Sequence, residues 1–126
     1  MKIPKPTDAD KDYFLSLFDD RLEVELRPMF GNVAAFVADN SQMCAGLFGP
    51  LVGLRLGDTE RAELAAVDGA GPFGPEDRPM KEYVAMPEQW RVDHDDVVEQ
   101  WIERAIAHTA SLPPKKKKAK KKGANS

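Results

Sequence analysis

The sequence predicts an α+β fold: two layers, a mainly antiparallel five-stranded sheet with helices packed on one face, in the order α-β-β-β-β-α-β-α. Three observations predict it. Strand-length apolar runs follow one another between residues 24 and 56 with short links, and short links join antiparallel neighbours because parallel pairs need long crossovers. Helix-period apolar residues stand on either side of that block. The two kinds of element are segregated and do not alternate, which places helices against one side of a sheet.

The elements follow in order. Residues 1–6, with Pro4 and Pro6, are a lead-in. Thr7 is a plausible helix N-cap, with Asp8 and Asp10 in a first turn whose dipole suits negative charge. Tyr13, Phe14, Leu17 and Phe18 then mark one helical face, running to about Arg21. Val24 to Phe30 is the first strand, shortened or sent to an edge by Pro28. Val33 to Ala38 is the second, and Asp39-Asn40 supply a turn. Gln42 to Phe48 is the third, broken by Gly49-Pro50. Leu51 to Leu56 is the fourth, with Val52, Leu54 and Leu56 on one face and Arg55 on the other. Gly57-Asp58 cap a short helix over 59–67, closed by Gly69. Residues 68–79 hold three glycines and three prolines and are expected to be a loop. Met80 to Met86 is the fifth strand. Asp93 to Asp96 open the longest helix, whose buried stripe is Val97, Val98, Trp101, Ile102, Ala105, Ile106 and Leu112. Pro113-Pro114 stop it.

Size and composition narrow the function. The 126 residues, 42% hydrophobic and 31% charged, suit one globular domain. Cys44 is the single cysteine, so an internal disulfide and a cysteine-based zinc site are excluded, and a reducing compartment is expected. No apolar run approaches the roughly 18 residues of a membrane helix. Met1 to Lys11 lacks the apolar stretch of a signal peptide. The expected location is cytoplasmic, with no membrane partner.

The net charge of −3 conceals a division. Residues 1–112, read as the domain, carry 11 basic and 21 acidic side chains, a net of −10. Residues 113–126 form a lysine-rich tail of +7, from Lys115, Lys116, Lys117, Lys118, Lys120, Lys121 and Lys122. Its composition cannot bury a core, so disorder is expected. Such a run neutralises phosphates without reading bases, because it has no arginine and no aromatic residue. The competing reading is a solvated tail, or one folded back on the acidic body.

Other candidate motifs favour structural explanations. Gly69-Ala-Gly-Pro-Phe-Gly74 has the letters of a dinucleotide fingerprint, but a helix precedes it and Pro72 and Pro75 interrupt it, so a plain loop is expected. His94 and His108 are 14 residues apart on one helix, about 21 Å, and cannot share a metal. Cys44 in an apolar strand is expected to be a buried small side chain and not a nucleophile. Asp93, Asp95 and Asp96 match no calcium loop and suit a helix start. Arg55, Arg78 and Lys81 are the residues an anion would contact, and pairing with nearby acids is the weightier reading. No catalytic or metal-binding residue is assigned, and no cofactor is expected.

Three stretches carry a resemblance. They are Arg27-Pro-Met-Phe-Gly-Asn32, then Met43-Cys-Ala-Gly-Leu-Phe-Gly49 with Leu54-Arg-Leu-Gly57, then Arg78-Pro-Met-Lys-Glu-Tyr-Val84. In this order, ahead of a terminal helix reaching Ser111-Leu-Pro-Pro114, they resemble the TfoX N-terminal domain family (TfoX/Sxy) over about residues 10–114. The resemblance implies a two-layer domain of the secretion-chaperone-like kind. In longer members it implies a regulator of DNA-uptake competence that acts as a transcriptional co-activator beside a DNA-bound activator protein. Asn32 stands where a second glycine is common, and a lysine tail stands where those members carry a further domain. The resemblance supplies no catalytic residues.

The expected function is a non-enzymatic interaction or regulatory module with a protein partner. One alternative is non-specific nucleic-acid association through the tail. Another is small-molecule binding in a pocket that gathers Arg55, Arg78 or Cys44. Oligomeric state is left open.

Overall fold

Thr7 opens the first helix, α1 (Asp8–Phe18), through a capping box. Its Oγ1 accepts from the Asp10 N–H at 3.1 Å, and Asp10 Oδ2 accepts from the Thr7 N–H at 2.9 Å. Two donors that the helix leaves unpaired are thereby satisfied. The computed structural model describes residues 5–29, 32–74, 80–92 and 95–114. Phe14 and Phe18 are buried with ring centroids 5.1 Å apart, while Tyr13 and Leu17 are half-buried against the core. The expected face is the observed one.

Four antiparallel strands follow: β1 (Val24–Met29), β2 (Asn32–Val37), β3 (Gln42–Phe48) and β4 (Leu51–Arg55). After α2 (Asp58–Ala65) come β5 (Gly71–Pro72), β6 (Tyr83–Ala85), a 3₁₀ turn (Glu88–Arg91) and α3 (Asp95–Ala110). The sheet order is β1-β2-β3-β4-β6-β5, and every pairing is antiparallel. Pro28 lies in β1, the strand at the sheet edge, where a residue without an N–H breaks no outer ladder.

The sheet has six strands where five are expected. The additional strand lies inside the Gly/Pro segment read as a loop: Gly71 and Pro72 pair with Ala85 and Val84. Two residues show no period, and tertiary pairing alone makes them a strand. Pro72 is tolerated because β5 is the outermost strand. The strand expected over 80–86 is also shorter, Tyr83–Ala85, and α2 ends at Ala65, not 67. The helix opening expected at Asp93 is described from Asp95; Asp93 and His94 lie outside the described residues.

The core lies between the helices and one face of the sheet. Ala35 and Val37, Ala45 and Leu47, and Val52, Leu54 and Leu56 meet Phe14, Phe18, Leu64, Val98, Ile102 and Ala105 there. Burial of this apolar surface is the main driving force for the fold. No helix among the described residues is long and apolar enough to cross a membrane.

Candidate interaction face

Strand alternation sends the remaining side chains to the other face of the sheet, away from the helices. Register sets Phe36 beside Met43, Gly46 beside Gly53, and Arg55 beside Tyr83. A bulge maintains this arrangement. Ala35 pairs with Ala45 but Phe36 pairs with Met43, so Cys44 is the extra residue. Its thiol is fully buried and points at the Ala35 carbonyl, 3.5 Å away.

The facing glycines form a bare strip on which Phe73 lies. A Cβ at Gly53 would overlap the Phe73 ring, and one at Gly46 would come within 2.6 Å of Met43 Cε. Phe73 is buried, with its ring centroid 6.0 Å from that of Phe48 and 5.9 Å from that of Tyr83. Arg27 lies over Phe36, its Cζ 4.6 Å from the ring centroid, while its guanidinium pairs with Glu25 at 2.6 Å.

Beside this aromatic strip is a concavity of about 430 Å³, lined by Phe36, Gln42, Met43 and Arg55 from the strands and by Met80, Lys81, Glu82 and Tyr83. Arg55 is firmly held. Its Nε donates to Glu82 Oε1 at 2.8 Å, its Nη2 lies 2.7 Å from the same oxygen, and its Nη1 donates to Gln42 Oε1 at 3.1 Å. The Tyr83 hydroxyl donates to the Met43 carbonyl at 3.1 Å, and burial pushes its pKa up to about 12. Lys81 is exposed and makes no ion pair with a described residue.

Of the three residues named for an anion, the structure brings Arg55 and Lys81 to one concavity; Arg78 lies outside the described residues. The pairing expected for Arg55 is with Glu82. The tail lysines, Lys115 to Lys118 and Lys120 to Lys122, also lie outside the described residues, as do Phe30-Gly31 and Pro79. Cys44 is buried as expected, and burial pushes its thiol up to about 12, so it stays protonated and unreactive. His108 is in the last turn of α3, where it suits the dipole, and its ring lies against Gly57. Asp95 and Asp96 begin α3. No group of three His, Cys, Asp or Glu among the described residues is placed to hold a metal.

Phe36, Met43, Met80 and Tyr83 were not singled out as a site. Period-two alternation alone would have put Phe36 and Tyr83 opposite the core. It would have misplaced Met43, because the bulge at Cys44 shifts the phase.

All three sequence stretches that carry the resemblance contribute to this sheet; Arg27 to Met29 ends β1 and Asn32 begins β2. Met43 to Gly49 holds all of β3 but its first residue and enters the turn, Leu54-Arg55 ends β4, and Tyr83-Val84 opens β6. No curated protein matches the chain, and neither does any solved structure. The family model of the TfoX N-terminal domain matches residues 16–109, from within α1 almost to the end of α3, and the chain accordingly belongs to the TfoX N-terminal domain family.

Proposed function

We propose that this chain is a non-enzymatic interaction module that regulates transcription or competence through a protein partner, and that it works in the cytoplasm. The observation that carries the reading is the helix-free sheet face. It sets half-buried Phe36, Met43 and Tyr83 around an open concavity, and among the described residues no second layer buries them. Contiguous apolar surface of this kind, rimmed by charge, suits a partner protein. The protonated, buried Cys44 supports a non-catalytic role, since the one thiol in the chain is unavailable as a nucleophile.

The test is affinity capture by the intact chain, with and without nuclease, beside a Phe36→Ser variant. The expected result is a protein partner retained after nuclease and lost with the variant. Capture that vanishes with nuclease, or that the variant leaves unchanged, would sink the reading.

A second reading rests on the seven lysines after the last acidic residue, Glu103. In it the tail binds nucleic acid without sequence preference. If all seven engage duplex DNA, log K falls against log salt with a slope of about −6. Equal binding by the full chain and by a chain lacking residues 115–126 would eliminate it.

A further inference from the structure

We infer that the concavity on the helix-free face receives an acidic segment of a protein partner, with a carboxylate seated at Lys81 and Arg55 and a neighbouring apolar side chain against Phe36, Met43 and Met80. The inference rests on the interaction reading and adds the chemistry of the partner.

Charge complementarity selects the occupant. Residues 1–112 carry a net charge of −10, yet among the described residues the lining holds Arg55 and Lys81 against a single acid, Glu82. Glu82 is engaged from two nitrogens of Arg55. Lys81 is the surplus cation, exposed at the rim, and makes no ion pair with a described residue. An incoming carboxylate therefore gains a charge-assisted hydrogen bond without displacing an existing pair. Arg55 is already oriented by Gln42 and Glu82, so little side-chain entropy is lost when it joins.

The same features disfavour other occupants. The lysine tail has the sign of the surplus charge. Gln42 Nε2 donates to the Pro113 carbonyl at 2.8 Å, so the chain passes the rim of the concavity, but its lysines would meet Lys81 and Arg55. Single-stranded nucleic acid requires bare ring faces for stacking. Here Arg27 lies over Phe36, and the Tyr83 ring has the Phe73 ring and the Arg55 guanidinium each 5.9 Å from its centroid. Small-molecule sites enclose most of their ligand, whereas this concavity is flanked by exposed Lys81 and Glu82.

Fluorescence anisotropy with the full chain tests the inference. The probes are labelled octapeptides, each carrying one Asp or Glu beside one apolar residue, with Asn or Gln counterparts, a ten-residue oligothymidylate, glutamate and inorganic phosphate. Acidic octapeptides are expected to bind at least about tenfold more tightly than their amide counterparts, and more weakly as salt rises. Lys81→Glu, an exposed change, is expected to abolish that difference, and Lys81→Arg to keep it. Equal binding of acidic and amide peptides overturns the inference, as does indifference to Lys81→Glu. Glutamate or phosphate binding as tightly as the peptides would make this a small-anion site, and oligothymidylate binding lost with Lys81→Glu would make it a nucleic-acid site; either overturns the inference. A tenfold gain in peptide affinity on deleting residues 115–126 would identify the tail as occupant and overturn it too. If peptides fail while a nuclease-resistant protein is still lost with Phe36→Ser, the interaction module stands and its acidic partner falls.

Discussion

Asn40 sits in the turn between β2 and β3 and reaches the end of α3. Its Nδ2 donates to the carbonyls of Thr109, at 2.8 Å, and Leu112, at 3.1 Å, while its Oδ1 accepts from the Gln42 N–H at 3.1 Å. The side chain is buried, so these bonds replace water for three backbone groups. Asn40→Ala is expected to cost about 2 kcal/mol in urea denaturation. Asn40→Asp should cost more at pH 7, since a carboxylate would face two carbonyl oxygens with no proton to donate. Gly53 is a second case. Any side chain there meets the Phe73 ring. Gly53→Ala is expected to lose about 1–3 kcal/mol by overpacking, seen as a lower denaturation midpoint. A native-like midpoint would mean that Phe73 can move off the glycine strip.

Among the elements, α1 depends on charge as well as on its apolar face. Asp10 both completes the capping box and accepts from Arg91 Nη1 at 2.8 Å, tying α1 to the 3₁₀ turn. Arg91 also lies over the Tyr13 ring, 4.7 Å from its centroid. The Thr7 backbone N–H, and then the bond from Arg91, hold the Asp10 carboxyl below the usual carboxylate range. The native state thus prefers the ionised form. Its contribution is complete above the unfolded value near pH 4 and disappears as pH falls through the lower native value. Asp10→Asn is expected to cost about 2 kcal/mol at neutral pH and to flatten the acid limb of stability against pH. A variant whose acid limb matches the parent would refute the linkage. The element β5 teaches a different lesson: nothing in Gly71-Pro72 distinguishes a strand from a loop until β6 lies beside it.

Across the whole molecule, alkaline pH should be destabilising. Burial raises both the Cys44 thiol and the Tyr83 hydroxyl to about 12. Unfolding releases them to ionise near 9 and 10, so the unfolded state binds fewer protons at high pH. Stability then falls as pH rises above about 9. Guanidinium midpoints from pH 7 to 10.5 measure this. Cys44→Ala should delay the fall, and an identical curve for the variant would show that the thiol does not contribute.

The sequence by itself determined the class of the fold, the faces of α1 and α3, that Pro28 either shortens β1 or sends it to an edge, the burial of Cys44 and the opposite facing of Val52-Leu54-Leu56 and Arg55. These depend on periodicity, short links and local backbone chemistry, which neighbouring residues carry. The Lys81–Arg55 concavity, the Cys44 bulge and the strand at Gly71-Pro72 were decided only by tertiary structure. Each depends on residues far apart in sequence. Arg55 and Tyr83 meet because β6 enters the sheet beside β4, and Met43 faces Phe36 because one unpaired residue shifts the phase of β3. A short pattern can record which side chains share a face of one strand, but which strands become neighbours is settled by packing the whole core.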